Sequence, residues 1–295
     1  MSDRISVRKT YKLFIGGKFP RSESGRTYPV TAADGSLLAN AAQGSRKDVR
    51  DAVAAARKAQ PGWAGATAYL RGQIVYRMAE MVEDRRGQFV DQVLAAERPR
   101  GSKGIQAATK AAQAQVDAAI DRLVWYAGWS DKVTQVLGGA NPVAGPFFNH
   151  SAPEPVGVVG VVAPADSSLL GLVSVLAPAV VTGNAAVVLA AQDRPLPAIS
   201  LAEALATSDL PGGVVNILSG RTAELVPWLA SHADVNAVDL TGVTDPQVAA
   251  DAETTAADTL KRVVRPARPD WTADPGLDRL RRFVEIKTVW HPAGV

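Results

Sequence analysis

The hydrophobic pattern splits the chain into a half built of amphipathic helices and a half in which short apolar runs alternate with helical stretches. Near the start, Tyr11–Pro20 places two short apolar stretches around Gly16-Gly17, a hairpin signal, because paired glycines supply the positive φ that a tight turn needs. A second strand pair is predicted around Arg26–Thr31 and Leu37–Ala41, turning at Asp34-Gly35. Four helices should follow. Ser45 is placed to cap the first, with Asp48 at its positive end, and Val49, Ala52, Val53 and Ala56 then recur at helical spacing. Thr67 caps the second in this reading, with Leu70, Ile74, Met78 and Val82 as its stripe. Phe89, Val90, Val93 and Leu94 mark a third. Ser102 precedes a long, alanine-rich fourth, with Val116, Ile120, Leu123 and Ala127 on one side and Trp125 and Trp129 as packing anchors one turn apart.

The period changes after Gly138-Gly139. Asn141–Ala152 is rich in Pro and Gly and lacks a helical repeat, which suits a hairpin standing away from the main body. From Val156 onward strands and helices alternate. VGVVGVVAP is a near-continuous apolar run, as a strand buried on both faces requires. Further strands are predicted at Ala186–Ala190, Val214–Ser219, Val235–Leu240 and Lys261–Arg265. The helices between them fall at Ser168–Val181, Leu196–Thr207, Ala223–Ala230 and Pro246–Leu260. This alternation predicts an α/β fold with a doubly wound parallel sheet and helices on both faces. Pro266, Pro269 and Pro275 break the rhythm in Arg265–Gly276; a short helix at Leu277–Phe283 and a β-branched run, EIKTVWHP, follow.

Composition narrows the chemistry. The 295 residues contain no cysteine, which removes disulfides and thiolate metal sites and fits the cytoplasm. Net charge is +3, from 32 basic and 29 acidic residues, with no basic stripe. The clusters Arg4–Lys12 and Arg279–Arg282 read as solvated faces, so no nucleic-acid partner is expected. No apolar run approaches a membrane span, and MSDRISVRKT lacks the apolar core of a secretory signal. The three histidines, His150, His232 and His291, lie far apart and form no metal-ligand spacing, so no metal is expected.

Four blocks, PVGVVGVVAP, LLGLVSVLAPAVVTGNAAVVL, DLPGGVVNILSG and HADVNAVDLTG, resemble in order and spacing the cofactor domain of the aldehyde dehydrogenase family. FIGGKF and the helices after it resemble the family's N-terminal region, and EIKTVWHP its C-terminal tail. The chain also resembles the truncated, cysteine-free second module of the bipartite aldehyde dehydrogenase family 16. The resemblance implies a Rossmann-like cofactor-type domain with its helical part at 1–137, an oligomerisation strand excursion at 138–153, the α/β part at 154–265, a Pro-rich bypass at 266–283 in place of the catalytic domain, and a C-terminal oligomerisation strand at 284–295.

The resemblance also locates the family's working residues, and at each place this sequence departs. The family's oxyanion-donating Asn falls at Asp166, whose ionised carboxylate has no donor. Its ribose-holding Lys-Pro-Ser-Glu falls at Ala190, Ala191, Gln192 and Asp193; losing one charged hydrogen bond costs about 1.5–3 kcal/mol. Its Phe-Thr-Gly-Ser turn beside the cofactor pyrophosphate is Leu240, Thr241, Gly242 and Val243, and the glycine at the next helix start is Gln247. The segment with the family's general base is Arg265–Pro269. Asp166, Asp193, Thr241 and Gly242 are therefore vestigial positions of a cofactor site: no catalytic residue is assigned, no cofactor is expected, and any NAD binding should be weak. In purely structural terms Asp166 is a turn or N-cap before the Ser168 helix and Asp193 a helix starter before Pro195. His232 falls where the family has a structural His. His150 and His291 flank the two oligomer strands, and Trp271 and Trp290 suit an interface.

Two functions compete. A protein that lost the nucleophile but kept both assembly strands is expected to be a non-catalytic structural or regulatory subunit, paired with a full-length aldehyde dehydrogenase or with itself. The alternative is an NAD(P)-dependent oxidoreductase acting on aldehydes, active only with a partner subunit.

Overall fold

A computed structural model describes residues 9–97 and 104–293. The N-terminal part holds a small sheet of β1 (Thr10–Tyr11), β2 (Thr27–Thr31) and β3 (Leu37–Ala42). Gly16-Gly17 forms the expected tight turn, with reciprocal Ile15–Lys18 backbone hydrogen bonds of 2.9 and 3.0 Å. The helices α1 (Arg46–Gly65), α2 (Ala68–Asp84), α3 (Arg86–Glu97) and α4 (Ile105–Trp129) follow. Ser45 and Asp48 close a capping box on α1, and Thr67 caps α2. The Ser102 cap lies outside the described residues. A short helix that the apolar pattern does not predict, α5 (Val133–Leu137), leads into β4 (Gly139–Asn141) and β5 (Phe147–Pro155).

The remaining elements alternate: β6 (Val158–Val162), α6 (Leu170–Val181), β7 (Ala185–Leu189), α7 (Leu196–Leu205), β8 (Val215–Leu218), α8 (Thr222–Ser231), β9 (Ala237–Asp239), α9 (Pro246–Ala257) and β10 (Arg262–Val264). They form a parallel five-stranded sheet in the order β10-β9-β6-β7-β8. Alternate residues feed opposite cores. Val159, Val161, Ala186 and Val188 pack on the side of α4, α6 and α7, while Val158, Val162, Val187 and Leu189 pack with residues of α1, α8 and α9. That double burial is why these strands read as unbroken apolar runs. Gly160 is fixed by the same packing, since a Cβ there would lie 2.7 Å from Leu229.

The chain then crosses from β10 through the Pro-rich bypass to α10 (Asp278–Arg282) and β11 (Val284–Pro292). β11 pairs antiparallel with β5 over nine register positions, giving a further sheet in the order β11-β5-β4. The hairpin predicted at Asn141–Ala152 is thus β4 and β5, and the tail strand is its neighbour. No helix among the described residues is long and apolar enough to cross a membrane.

Candidate functional site

The central strand β6 has β7 on one side and β9 on the other, so the strand order reverses there. In an open α/β sheet, ligands bind in the crevice beyond the carboxyl ends of strands at such a switch point. All four positions that the resemblance gives to the cofactor site lie at that edge: Asp166 after β6, Asp193 after β7, and Thr241 and Gly242 after β9. The cavity is small, about 200 Å³, and is lined by Ala163, Gln192, Asp193, Gly242, Val243 and Asp245, among others.

The crevice is occupied by the chain's own groups. Gly242 lies so close to the β6 strand end that a Cβ would collide with the Ala163 carbonyl, and its N–H donates to Val162 O at 3.1 Å. The Thr241 N–H donates to Asp239 Oδ1 at 2.9 Å. The Asp245 side chain caps α9 by accepting from the Gln247 N–H at 2.8 Å and the Val248 N–H at 3.4 Å. A free helix N-terminus attracts phosphate through such amides; here a carboxylate has taken them. Asp193 does not start α7: Pro195 holds the N-cap position without a side-chain bond, and Asp193 stays exposed beside Gln192. Gln192 is fixed on two sides, its Oε1 accepting from the Thr222 N–H and its carbonyl from the Tyr28 hydroxyl at 3.1 Å each. Burial, followed by the nearby Asp193 charge, pushes the Tyr28 hydroxyl well above the usual tyrosine range.

Asp166 is not an N-cap either. The Ser168 N–H and hydroxyl both donate to Glu97 Oε1, at 2.7 and 2.6 Å, and the Leu169 N–H donates to Gln115 Oε1 at 3.2 Å. Side chains from α3 and α4 therefore hold the turn that leads into α6, Ser167 Oγ accepts the Gly171 N–H of its first turn at 3.0 Å, and Asp166 accepts the Trp271 indole N–H at 3.2 Å. Trp271 does not stand at an exposed interface, as its neighbours in sequence suggest; it is the single buried residue of the segment 265–276. It lies against Gly171, where a Cβ would sit 3.3 Å from the indole, and beneath the Arg279 guanidinium, 5.5 Å from the ring centroid. Arg122, from α4, fixes the bypass backbone by donating to the carbonyls of Trp271 at 2.8 Å and Ala273 at 3.0 Å. Burial lowers the Arg122 pKa from its ordinary value, yet its third bond, to Ser174 Oγ at 2.9 Å, keeps the guanidinium well satisfied.

Arg279 also departs from its expected place on a solvated face. It pairs at 2.9 Å with Asp239, which is fully buried at the end of β9. Tyr126 packs nearby with its hydroxyl pushed up to about 12 by burial. Sequence spacing could not reveal Glu97, Gln115, Arg122 or Arg279, because each acts on a partner at least 40 residues away. For Gln115 and Arg122 the one visible signal is an amide or charged side chain beside apolar residues of a helix; Arg279, in the charged run Asp278–Arg282, carries none. Among the described residues, no group of three or more His, Asp or Glu side chains stands together to hold a metal.

The aldehyde dehydrogenase family profile matches residues 19–265. The chain is 34% identical over 245 residues to cytosolic aldehyde dehydrogenase 1 of Elephantulus edwardii, covering 82% of this chain and 47% of that protein. It is 33% identical over 237 residues to mitochondrial benzaldehyde dehydrogenase of Antirrhinum majus, covering 79% and 42%. HpcC from Thermus thermophilus shares the fold with a TM-score of 0.79 at 29% identity, over 86% of this chain and 47% of that one. An NAD+ complex of aldehyde dehydrogenase from Bacillus cereus gives 0.76 at 26% identity, over 86% and 50%. The chain spans about half the length of the relatives it matches. Sheet order, crevice and a match across most of its residues together place the chain in the aldehyde dehydrogenase family.

Proposed function

We propose that this chain is a non-catalytic member of the family that serves as a structural or regulatory subunit for a full-length, cysteine-bearing aldehyde dehydrogenase. The observation that carries this reading is the Trp271 indole seated on Asp166, at the position the family resemblance gives to the oxyanion donor. The chain's own bypass holds that corner of the crevice, and no thiol exists among its 295 residues to attack an aldehyde. The cofactor crevice supports the same reading. Asp193 and Asp245 line it with no cation among the other lining residues, so two carboxylates would face a pyrophosphate, and Asp245 already holds the amides that would bind it. Its volume is below the roughly 300–1,000 Å³ of ordinary small-molecule pockets. These residues do not suit a dinucleotide.

What remains is a surface suited to assembly. β11 is a nine-residue edge strand, and unpaired edges seek partners. Phe148 and Trp290 are 70% and 56% exposed, and Phe147 stacks edge-on against Trp290 at 5.8 Å. Large aromatics in such positions are the usual anchors of a protein interface. Co-expression with a full-length family member, followed by size-exclusion chromatography with light scattering, tests the reading. One species containing both chains is expected, and it should be lost in Ile286→Glu/Trp290→Glu. A wild-type chain that elutes as a lone monomer beside the unbound enzyme would refute it.

A further inference from the structure

A second, wider cavity lies away from the crevice, between α9, β10, the bypass and α10. It measures about 780 Å³. Its wall carries four cations, Lys261, Arg265, Arg279 and Arg282, against two carboxylates, Glu253 and Asp278. Two of the cations are spent: Arg279 on Asp239 at 2.9 Å and Arg265 on Glu253 at 3.1 Å. The other two are not. Lys261 is buried at 7% exposure, and its ammonium bonds only the Thr259 hydroxyl, with no carboxylate at ion-pair distance. Arg282 projects from α10 without a partner among the described residues. Asp258 acts on the Lys261 ammonium from beyond ion-pair distance, and a buried cation with so distant a counter-charge is stabilised by an anion brought into contact. The crevice at the switch point shows the reverse polarity, with acidic residues and no lining cation.

We infer that this cavity is a binding site for a small, multiply charged oxyanion, a phosphate ester or a polycarboxylate, held between Lys261 and Arg282. The volume accepts a sugar phosphate or a tricarboxylate with room to spare. The fork of Arg282 suits two oxygens of either group, and the Lys261 ammonium supplies a point charge from the buried side. The site does not depend on the proposed subunit role, since the bypass and α10 that form its wall belong to this chain alone.

Isothermal titration of the purified full chain with glucose 6-phosphate, with citrate and with glucose tests the inference. Saturable binding of glucose 6-phosphate, of citrate or of both is expected, and which of them binds assigns the oxyanion; glucose should give no signal. Arg282→Glu, at an exposed and unpaired position that folding does not use, should weaken the binding roughly ten- to a hundred-fold, as the loss of one charge-assisted contact does. Lys261→Met should weaken it by a similar factor while leaving the thermal midpoint at or above the wild-type value. Absence of heat from both anions at millimolar concentration, or binding by Arg282→Glu as tight as by the wild type, overturns the inference.

Discussion

Trp271→Ala removes the one buried side chain of the segment 265–276, so it should cost about 3–5 kcal/mol of stability, read as a lowered denaturant midpoint. Asp166→Asn is milder. It keeps an oxygen acceptor for the indole N–H and loses only the charge, so a loss of about 1 kcal/mol is expected. The same substitution restores the side-chain amide that the family resemblance places there, yet it should yield no NADH from an aldehyde, because the chain supplies no thiolate. Arg279→Ala leaves Asp239 buried and unpaired, which should cost about 3–5 kcal/mol. These residues mark where sequence reading stops. Asp166 and Asp193 look like helix starters because a short acidic side chain stands just ahead of each helix. Ser167, one residue on, caps the first turn of α6 while a Glu 71 residues upstream of Ser168 holds the turn before it, and Pro195 opens α7 unaided. Trp271 looks exposed because its neighbours are Pro, Asp and Arg; it is buried because Arg122 draws the backbone around it inward.

Elements are far more legible in the sequence than contacts. Capping residues and apolar periods announce α1, α2 and the strands of the parallel sheet, since both signals are local. The two-residue β1 and the five-residue α5 carry too few apolar positions to set a period, so the pattern does not reveal them. Asp245→Ala should uncap α9 at a cost of about 1 kcal/mol, measured by thermal denaturation. The end of α8 gives a pH dependence. His232 Nδ1 accepts the Asp234 N–H at 3.2 Å, which requires the neutral ring, and burial lowers the His232 pKa below its ordinary value of about 6.5. The unfolded chain therefore binds this proton more readily than the folded one. Stability from this residue is complete above about pH 6.5 and declines as pH falls through the histidine range. A series of thermal midpoints from pH 8 to pH 5 should show that decline, and His232→Asn, whose side chain can still accept the N–H, should flatten it.

For the molecule as a whole, the parallel sheet and its switch-point crevice follow from the alternating pattern, while the fate of the crevice does not. The chain's own groups occupy the crevice: Asp245 on the amides of α9, Gly242 against β6, and Trp271 over Asp166. Such closure fits the proposed role as a subunit, and the β5–β11 sheet supplies an edge strand and exposed aromatics. Calorimetric titration of the purified chain with NAD is the most direct test of this account. The acidic crevice predicts no saturable heat up to millimolar NAD, and binding at micromolar concentration would contradict it.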